Sequence, residues 1–135
     1  MGFRYERTVR LADTDAAGVV YFARVLSMCH EAYEASLEAA GVPLASWIRE
    51  GTIALPIVHA HADFYRPLSC GDRLAIALAP QALGDSEFAV AYELTGQEPT
   101  GPKLAEATTR HACIQPQQRQ RIPLPVALWQ WLQAA

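Results

Sequence analysis

The sequence predicts an α+β fold in which an antiparallel sheet wraps around one long helix. Three observations predict it: one stretch of helical periodicity near the start, four strand-like stretches after it, and short turns between those strands. Short turns favour antiparallel neighbours, because a parallel pair needs a crossover of a dozen or more residues. The chain has 135 residues, about half of them apolar, so we expect a single domain over residues 1–135.

The spacing of apolar residues changes between the predicted first strand and the predicted long helix. Apolar and polar residues alternate over residues 3–11, as is typical of a half-buried strand. Over residues 22–40 the apolar residues recur at helical spacing, and Gly41 and Pro43 follow as stop signals, so we expect a helix of about five turns. A second, short helix is predicted at Leu44–Glu50.

The remaining predicted elements are four strands and a C-terminal helix. The strands cover residues 53–66, 73–80, 87–94 and 103–114, with turn signals between them that include residues 96–102, and the helix covers residues 126–132. Such a sheet leaves edges and one face to be covered, which proteins often achieve by pairing subunits. We therefore expect a homo-oligomer, a dimer or a tetramer, and favour a homotetramer built as a dimer of dimers.

Composition excludes several classes of partner. The net charge is −3 and no block of Lys or Arg occurs, which argues against nucleic acid. No apolar run approaches the roughly 20 residues of a membrane helix, and the N-terminus is too polar for a signal peptide, so we expect no membrane span. Cys29, Cys70 and Cys113 match no short metal spacing and suit reduced thiols. We expect a cytoplasmic protein.

The reactive side chains near the start of the chain lie in the turn Asp13-Thr14-Asp15-Ala16-Ala17-Gly18-Val19-Val20-Tyr21-Phe22. The order of strand, acidic turn and helix would place a carboxylate beside the free N–H groups of a helix start. From spacing alone, an Asp before a helix is more often an N-cap than a catalyst. We interpret Asp13 as a turn or capping residue that holds the loop, so its removal should harm folding more than chemistry.

A rival constellation lies on a predicted strand. His59, His61 and Asp63 alternate and so share one face, which in principle could hold a metal. No further His or carboxylate is placed to complete a ligand shell, so we favour a role for the histidines in lining a pocket or in a subunit contact. His30 and Glu31 on the long helix either face a pocket or are ordinary helix residues.

Beyond the acidic turn, the chain carries Asp63-Phe64-Tyr65-Arg66-Pro67-Leu68 and Gly71-Asp72. With the order of elements, these motifs resemble the hotdog-fold thioesterases of the 4-hydroxybenzoyl-CoA thioesterase-like branch over nearly the whole chain. Residues 19–44 and 55–60, with residues 85–88 and 109–111, are most similar to the 1,4-dihydroxy-2-naphthoyl-CoA hydrolases of phylloquinone synthesis in cyanobacteria.

The resemblance implies a thioester hydrolase acting on a CoA thioester without metal or cofactor. It implies that Asp15 is the catalytic nucleophile or general base, that the Phe22 amide polarises the carbonyl, and that Gly18 allows close approach of the acyl group. Some relatives carry a His just after the turn, where this chain has Phe22 and Ala23. The CoA phosphates favour cations, and the candidates are Arg66, Arg73, Lys103, Arg110, Arg119 and Arg121.

Three hypotheses remain open from the sequence. The first is an aromatic acyl-CoA thioesterase, with a general short-chain or hydroxybenzoyl-type thioesterase as its variant. The second is a non-catalytic hotdog module that binds an acyl-CoA or acyl carrier protein, in which Asp15 is only a cap. The third is a metal-dependent hydrolase that uses His59, His61 and Asp63.

Overall fold

A computed structural model describes residues 2–98 and 100–134. Its elements, in chain order, are β1 (Phe3–Thr8), a 3₁₀ turn (Leu11–Asp13), α1 (Phe22–Ala39), α2 (Leu44–Glu50), β2 (Ile57–Phe64), β3 (Arg73–Ala82), β4 (Glu87–Gly96), β5 (Lys103–Ala112), β6 (Ile114–Gln115), β7 (Gln120–Arg121) and α3 (Val126–Ala134). Pro99, in the predicted turn at residues 96–102, lies outside the described residues. No helix in the described chain is long and apolar enough to cross a membrane.

Five strands form one antiparallel sheet in the order β1-β3-β4-β5-β2. Each of the four pairings is antiparallel, as the short turns predicted. Two-residue strands β6 and β7 form a separate hairpin that the sequence did not predict. β2 follows the helices and pairs only with β5, so it occupies the edge of the sheet opposite β1.

Helix α1 packs against one face of this sheet and forms the core. Its apolar stripe recurs every three to four residues and buries Val25, Met28, Cys29, Ala32, Tyr33 and Leu37. Alternate residues of β3 and β4 cover it from the sheet side, namely Leu74, Ile76, Leu78, Phe88, Val90, Tyr92 and Leu94. The helical and strand periods read from the sequence therefore meet in a single α+β core.

The ends of α1 differ in how their backbone groups are satisfied. At the C-terminus Gly41 adopts φ +76, and the N–H groups of Gly41 and Val42 donate to the carbonyls of Glu38 and Leu37 at 3.0 Å each. This pattern closes the helix as a Schellman motif, which glycine favours at this position. At the N-terminus the cap residue Tyr21 gives no side-chain hydrogen bond, so that end stays open.

Some strand boundaries predicted from the sequence were wrong. Strand β1 ends at Thr8 rather than at residue 11, and Leu11 is 77% exposed, because the chain turns into the 3₁₀ segment and loses the alternation. Strand β2 begins at Ile57 rather than at residue 53, and only Ala54 makes an isolated bridge, to Ile114. Both errors lie where the apolar pattern of the sequence continues past the last residue that pairs with a neighbouring strand.

Candidate active site

The acidic turn folds into a small hairpin between the 3₁₀ segment and α1. Thr14 bridges Val20, the Asp15 N–H donates to the Val19 carbonyl at 3.0 Å, and the Gly18 N–H donates to the Asp15 carbonyl at 3.0 Å. Gly18 has φ +84, a left-handed conformation that side chains with a Cβ rarely adopt. The turn therefore requires glycine for its backbone angle, and a Cβ there would meet no atom within 4 Å.

Asp13 is buried and collects donors from three parts of the chain. Its Oδ2 accepts from the Arg7 guanidinium at 2.9 Å and from the Arg10 N–H at 2.8 Å, and its Oδ1 accepts from Arg24 of α1 at 3.2 Å. Its main-chain carbonyl also accepts the Tyr21 N–H at 3.0 Å, directly before α1 begins. Asp13 thereby ties the turn to β1 and to the first turn of α1.

The environment of Asp13 keeps its carboxylate ionised. Burial alone would raise the pKa of this carboxyl, but the Arg10 N–H and the positive charges of Arg7 and Arg24 outweigh it, so the pKa lies below its ordinary value. Arg7 extends the network by pairing with Glu31 of α1 at 3.3 Å, where Tyr5 also donates to Glu31 at 3.0 Å. Glu31 is therefore part of a structural network.

Asp15, two residues further on, is exposed and makes far fewer bonds. Its Oδ1 accepts the N–H of Ala17 at 2.9 Å within the same turn, and its other carboxylate oxygen has no partner among the described residues. Helix α1 begins seven residues later, with Tyr21 as its cap, so Asp15 does not cap that helix. An accessible carboxylate with one uncommitted oxygen can attack a carbonyl carbon or accept a proton from water.

The open start of α1 follows directly after this hairpin. In the described part of the chain, the N–H groups of Phe22 and Ala23 have no hydrogen-bond acceptor, whereas Arg24 N–H donates to the Tyr21 carbonyl at 2.8 Å. Free N–H groups at a helix start carry partial positive charge. Such a group can stabilise negative charge that develops on a carbonyl oxygen.

A largely apolar cleft of about 410 Å³ lies beside the hairpin. This volume falls in the range of small-molecule sites, roughly 300–1,000 Å³. The side chains that line it are Val19, Val20, Phe22, Val25, Phe64, Tyr65, Arg66, Pro67, Leu68 and Ala105. Of the three predicted site residues, Phe22 lines the cleft, while Asp15 and Gly18 lie in the adjoining turn.

The far wall of the cleft was not predicted from the sequence. The Val20 N–H donates to the Leu68 carbonyl at 2.8 Å and Val19 bridges Ser69, so the acidic hairpin is joined to the segment after β2. Phe64, the last residue of β2, and Tyr65 and Arg66 of that segment form this wall. The motif at residues 63–68 was the available signal, since its residues, apart from Asp63 and Arg66, had entered the site prediction only through the family resemblance.

The rival constellation does not form a metal site in this structure. His59, His61 and Asp63 do share one face of β2, and the two imidazole rings are 6.0 Å apart. Nevertheless, no group of three His, Cys, Asp or Glu side chains in residues 2–98 and 100–134 is placed to hold a metal ion. Neither histidine lines the cleft, and His30 instead pairs with Glu34 at 3.0 Å.

His111, which the sequence analysis did not single out, is a fully buried titratable group below α1. Its ring stacks on Phe88 at 4.8 Å and lies 4.7 Å from the Tyr33 ring. Nε2 is 2.8 Å from the Thr109 hydroxyl, whose other neighbour is the Tyr92 hydroxyl at 3.2 Å. Burial lowers the pKa of His111 to about 4, so this imidazole is neutral at pH 7.

Comparisons with known proteins agree over most of the chain. A family model described as the thioesterase-like superfamily matches residues 9–133. The 1,4-dihydroxy-2-naphthoyl-CoA hydrolase of Rippkaea orientalis is 55% identical over 130 residues, which cover 96% of this chain and 94% of that protein. The protein of the same name from Gloeothece citriformis is 55% identical over 128 residues, covering 95% and 90%.

A solved structure agrees equally well. The crystal structure of a 1,4-dihydroxy-2-naphthoyl-CoA thioesterase from Synechocystis superposes with a TM-score of 0.93 at 44% identity, covering 98% of this chain and 96% of that chain. Together with the family match, it confirms the hotdog fold predicted from the sequence.

Proposed function

The chain belongs to the thioesterase-like superfamily, and from that premise we propose that it hydrolyses 1,4-dihydroxy-2-naphthoyl-CoA to 1,4-dihydroxy-2-naphthoate and CoA. This reaction is a step of phylloquinone (vitamin K1) biosynthesis. The choice of substrate is supported by the relatives of that name, which are 55% identical, and by the Synechocystis thioesterase structure, which has a TM-score of 0.93 at 44% identity. The reaction class is that of an acyl-CoA thioesterase.

The geometric observation that carries the proposal is the meeting of three features at one hairpin. The hairpin bears the exposed carboxylate of Asp15, its second strand lines the apolar cleft, and it leads directly into the free N–H of Phe22. Thioester hydrolysis needs an oxygen to attack, a site for the oxyanion and an apolar place for the acyl group. The carboxylate, the free N–H and the apolar cleft correspond to these three requirements.

We assign the chemical step to Asp15. Either its carboxylate oxygen attacks the thioester carbonyl carbon and water then hydrolyses the resulting anhydride, or the carboxylate takes a proton from the water that attacks. In both cases the bond between carbon and sulfur breaks, and CoA leaves as a thiolate that takes up a proton. The Phe22 N–H is assigned to the oxyanion, and Gly18 gives the turn the backbone angle it needs.

An aromatic acyl group suits the cleft better than a charged or a short aliphatic one. Nine of its ten lining residues are uncharged, and Phe22, Phe64 and Tyr65 supply rings at its walls. Aromatic rings bury a large area and pair with other rings at about 0.5–1.5 kcal/mol beyond that area. A bicyclic naphthoyl group therefore gains more from these walls than a short aliphatic chain does.

We also propose that the chain assembles as a homotetramer, a dimer of dimers, in the cytoplasm. Support comes from β2, an edge strand whose Ile57, Val58 and Phe64 are about half exposed in the protomer. Exposed apolar edge strands tend to pair with another chain. Light scattering after size-exclusion chromatography measures the assembly, and a monomer would contradict it.

The proposed cytoplasmic location is supported by the cysteines. Cys29, Cys70 and Cys113 are all free thiols, which agrees with a reducing compartment.

The test of the function is hydrolysis of a panel of CoA thioesters, read out as free thiol. Naphthoyl, benzoyl and aliphatic thioesters are compared with and without EDTA. We expect 1,4-dihydroxy-2-naphthoyl-CoA to give the highest kcat/KM and EDTA to leave it unchanged. Turnover of the other thioesters alone would keep the thioesterase and reject the quinone substrate, whereas no turnover at all would favour a binding module.

A further inference from the structure

Half of the candidate phosphate-binding cations are already neutralised within the protomer. Lys103 pairs with Glu106 at 2.9 Å, and Arg110 and Arg121 pair with Glu87 at 3.4 and 3.2 Å. An additional anion would have to compete with these carboxylates. Their positions lie on β5 and β7 and do not line the cleft.

The other three candidates have no ion pair among the described residues, but only one of them lies at the site. Arg119 belongs to the turn between β6 and β7, outside the cleft lining. Arg73 lines a separate polar cleft that also contains Glu31. Arg66 lines the apolar cleft and is the single charged residue among its ten lining residues.

The backbone around Arg66 is held on both sides. The N–H groups of Tyr65 and Arg66 both donate to the Leu104 carbonyl, at 3.0 and 3.1 Å, and the Leu68 carbonyl accepts the Val20 N–H at 2.8 Å. The side chain itself makes no hydrogen bond within the described chain and is exposed. The fixed backbone keeps this free guanidinium at the cleft wall, where it is available to an anion.

We propose that Arg66 binds a phosphate group of the coenzyme A part of the substrate, an inference that rests on the proposed thioesterase function. The acyl group occupies the apolar walls, and the neutral pantetheine arm leads out past the rim to the phosphates, so the long, free side chain of Arg66 at this exit is available to them. A guanidinium offers two parallel N–H donors to a phosphate, and such charge-assisted bonds are stronger than neutral ones. Arg66 thereby sets affinity for CoA and leaves the chemical step to the acidic turn.

The test compares one acyl group on three carriers: CoA, 3′-dephospho-CoA and pantetheine. Arg66→Ala should raise KM for the CoA thioester about ten-fold, with kcat changed by less than about two-fold, and Arg66→Lys should recover part of the loss. With the pantetheine thioester, which has no phosphate, wild type and Arg66→Ala should have the same KM. Arg73→Ala is the matched control, since it removes an exposed, unpaired arginine outside the cleft.

The carriers decide the outcome. An effect that persists with 3′-dephospho-CoA assigns the diphosphate, and one that vanishes assigns the 3′-phosphate, and both support the proposal. An equal effect with pantetheine, no effect on any carrier, or an equal effect of Arg73→Ala would overturn it. Calorimetric titration with free CoA separates this proposal from the proposed function. Weaker binding to Arg66→Ala supports it even if no thioester is hydrolysed, whereas unchanged binding, or no binding to wild type, overturns it.

Discussion

The two halves of the acidic turn use the same side chain in opposite ways. In the first half, Asp13 is 3% exposed and accepts from Arg7, the Arg10 N–H and Arg24. In the second half, Asp15 is exposed and accepts one N–H, from Ala17. A carboxylate whose oxygens are both hydrogen-bonded holds structure, whereas one with an uncommitted oxygen beside a cleft is available for chemistry.

The largest expected effect is on catalysis, through Asp15. Replacement by Asn removes the proposed nucleophile or base while keeping the size of the side chain and an oxygen for the Ala17 N–H. We expect kcat to fall by about 10³-fold with little change in the free energy of unfolding. Steady-state kinetics and urea unfolding of the same preparation measure the two quantities.

Asp72→Asn is a suitable control for that experiment, because its carboxylate also accepts a local N–H, from Ser69 at 2.9 Å, in an exposed turn. Its activity should stay near wild type. Full activity of the Asp15→Asn protein would remove Asp15 from the mechanism and leave it as a turn residue.

The next effect is on stability, through Asp13. Asp13→Asn leaves the largely buried guanidinium of Arg7 without its full counter-charge, and breaking such a pair costs about 3 kcal/mol of unfolding free energy. We expect the folded fraction of the variant to keep most of its kcat, so folding suffers more than chemistry. Urea denaturation with activity measured below the transition tests this. A stable variant with a kcat as low as that of Asp15→Asn would reverse the roles of the two carboxylates.

The last effect is a pH dependence of the free energy of unfolding, which comes from the buried titratable groups and reaches its full size only near pH 4. His111 has a pKa of about 4 when folded against its ordinary 6.5, so the unfolded chain binds the proton more readily. The contribution of neutral His111 to the free energy of unfolding is complete above pH 6.5. It is lost as the pH falls from 6.5 to 4, and the loss is at most about 3 kcal/mol. Asp13, whose folded pKa is lowered, loses its contribution only below its ordinary 3.8.

The variant His111→Phe tests that assignment within an aromatic cluster formed by Tyr33, Phe88 and Trp131. Urea unfolding at pH 7, 5.5 and 4.5 should show a smaller fall in stability for the variant than for wild type. The same fall in both proteins would assign the acid sensitivity to other groups. The kcat at pH 7 should stay close to wild type, because His111 is not among the residues that line the cleft.

The features that depend on local pattern could be predicted from the sequence alone. Helical spacing with Gly41 behind it placed α1 at almost its observed bounds, and alternation with short turns predicted antiparallel strands. The acidic turn was also readable, because its composition and its place before a helix are local. The roles of Asp15, Gly18 and Phe22 were proposed from the family resemblance that this turn carries.

The contacts between groups that are distant in the chain could be seen only in the folded structure. Strand β2 joins the far edge of the sheet, and its following segment then forms the second wall of the cleft through the bond between Val20 and Leu68. The three donors to Asp13 and the choice of Arg66 among six cations depend on such contacts. Local periodicity shows which face of an element is buried, but pairing between distant segments is set by the packing of the whole chain.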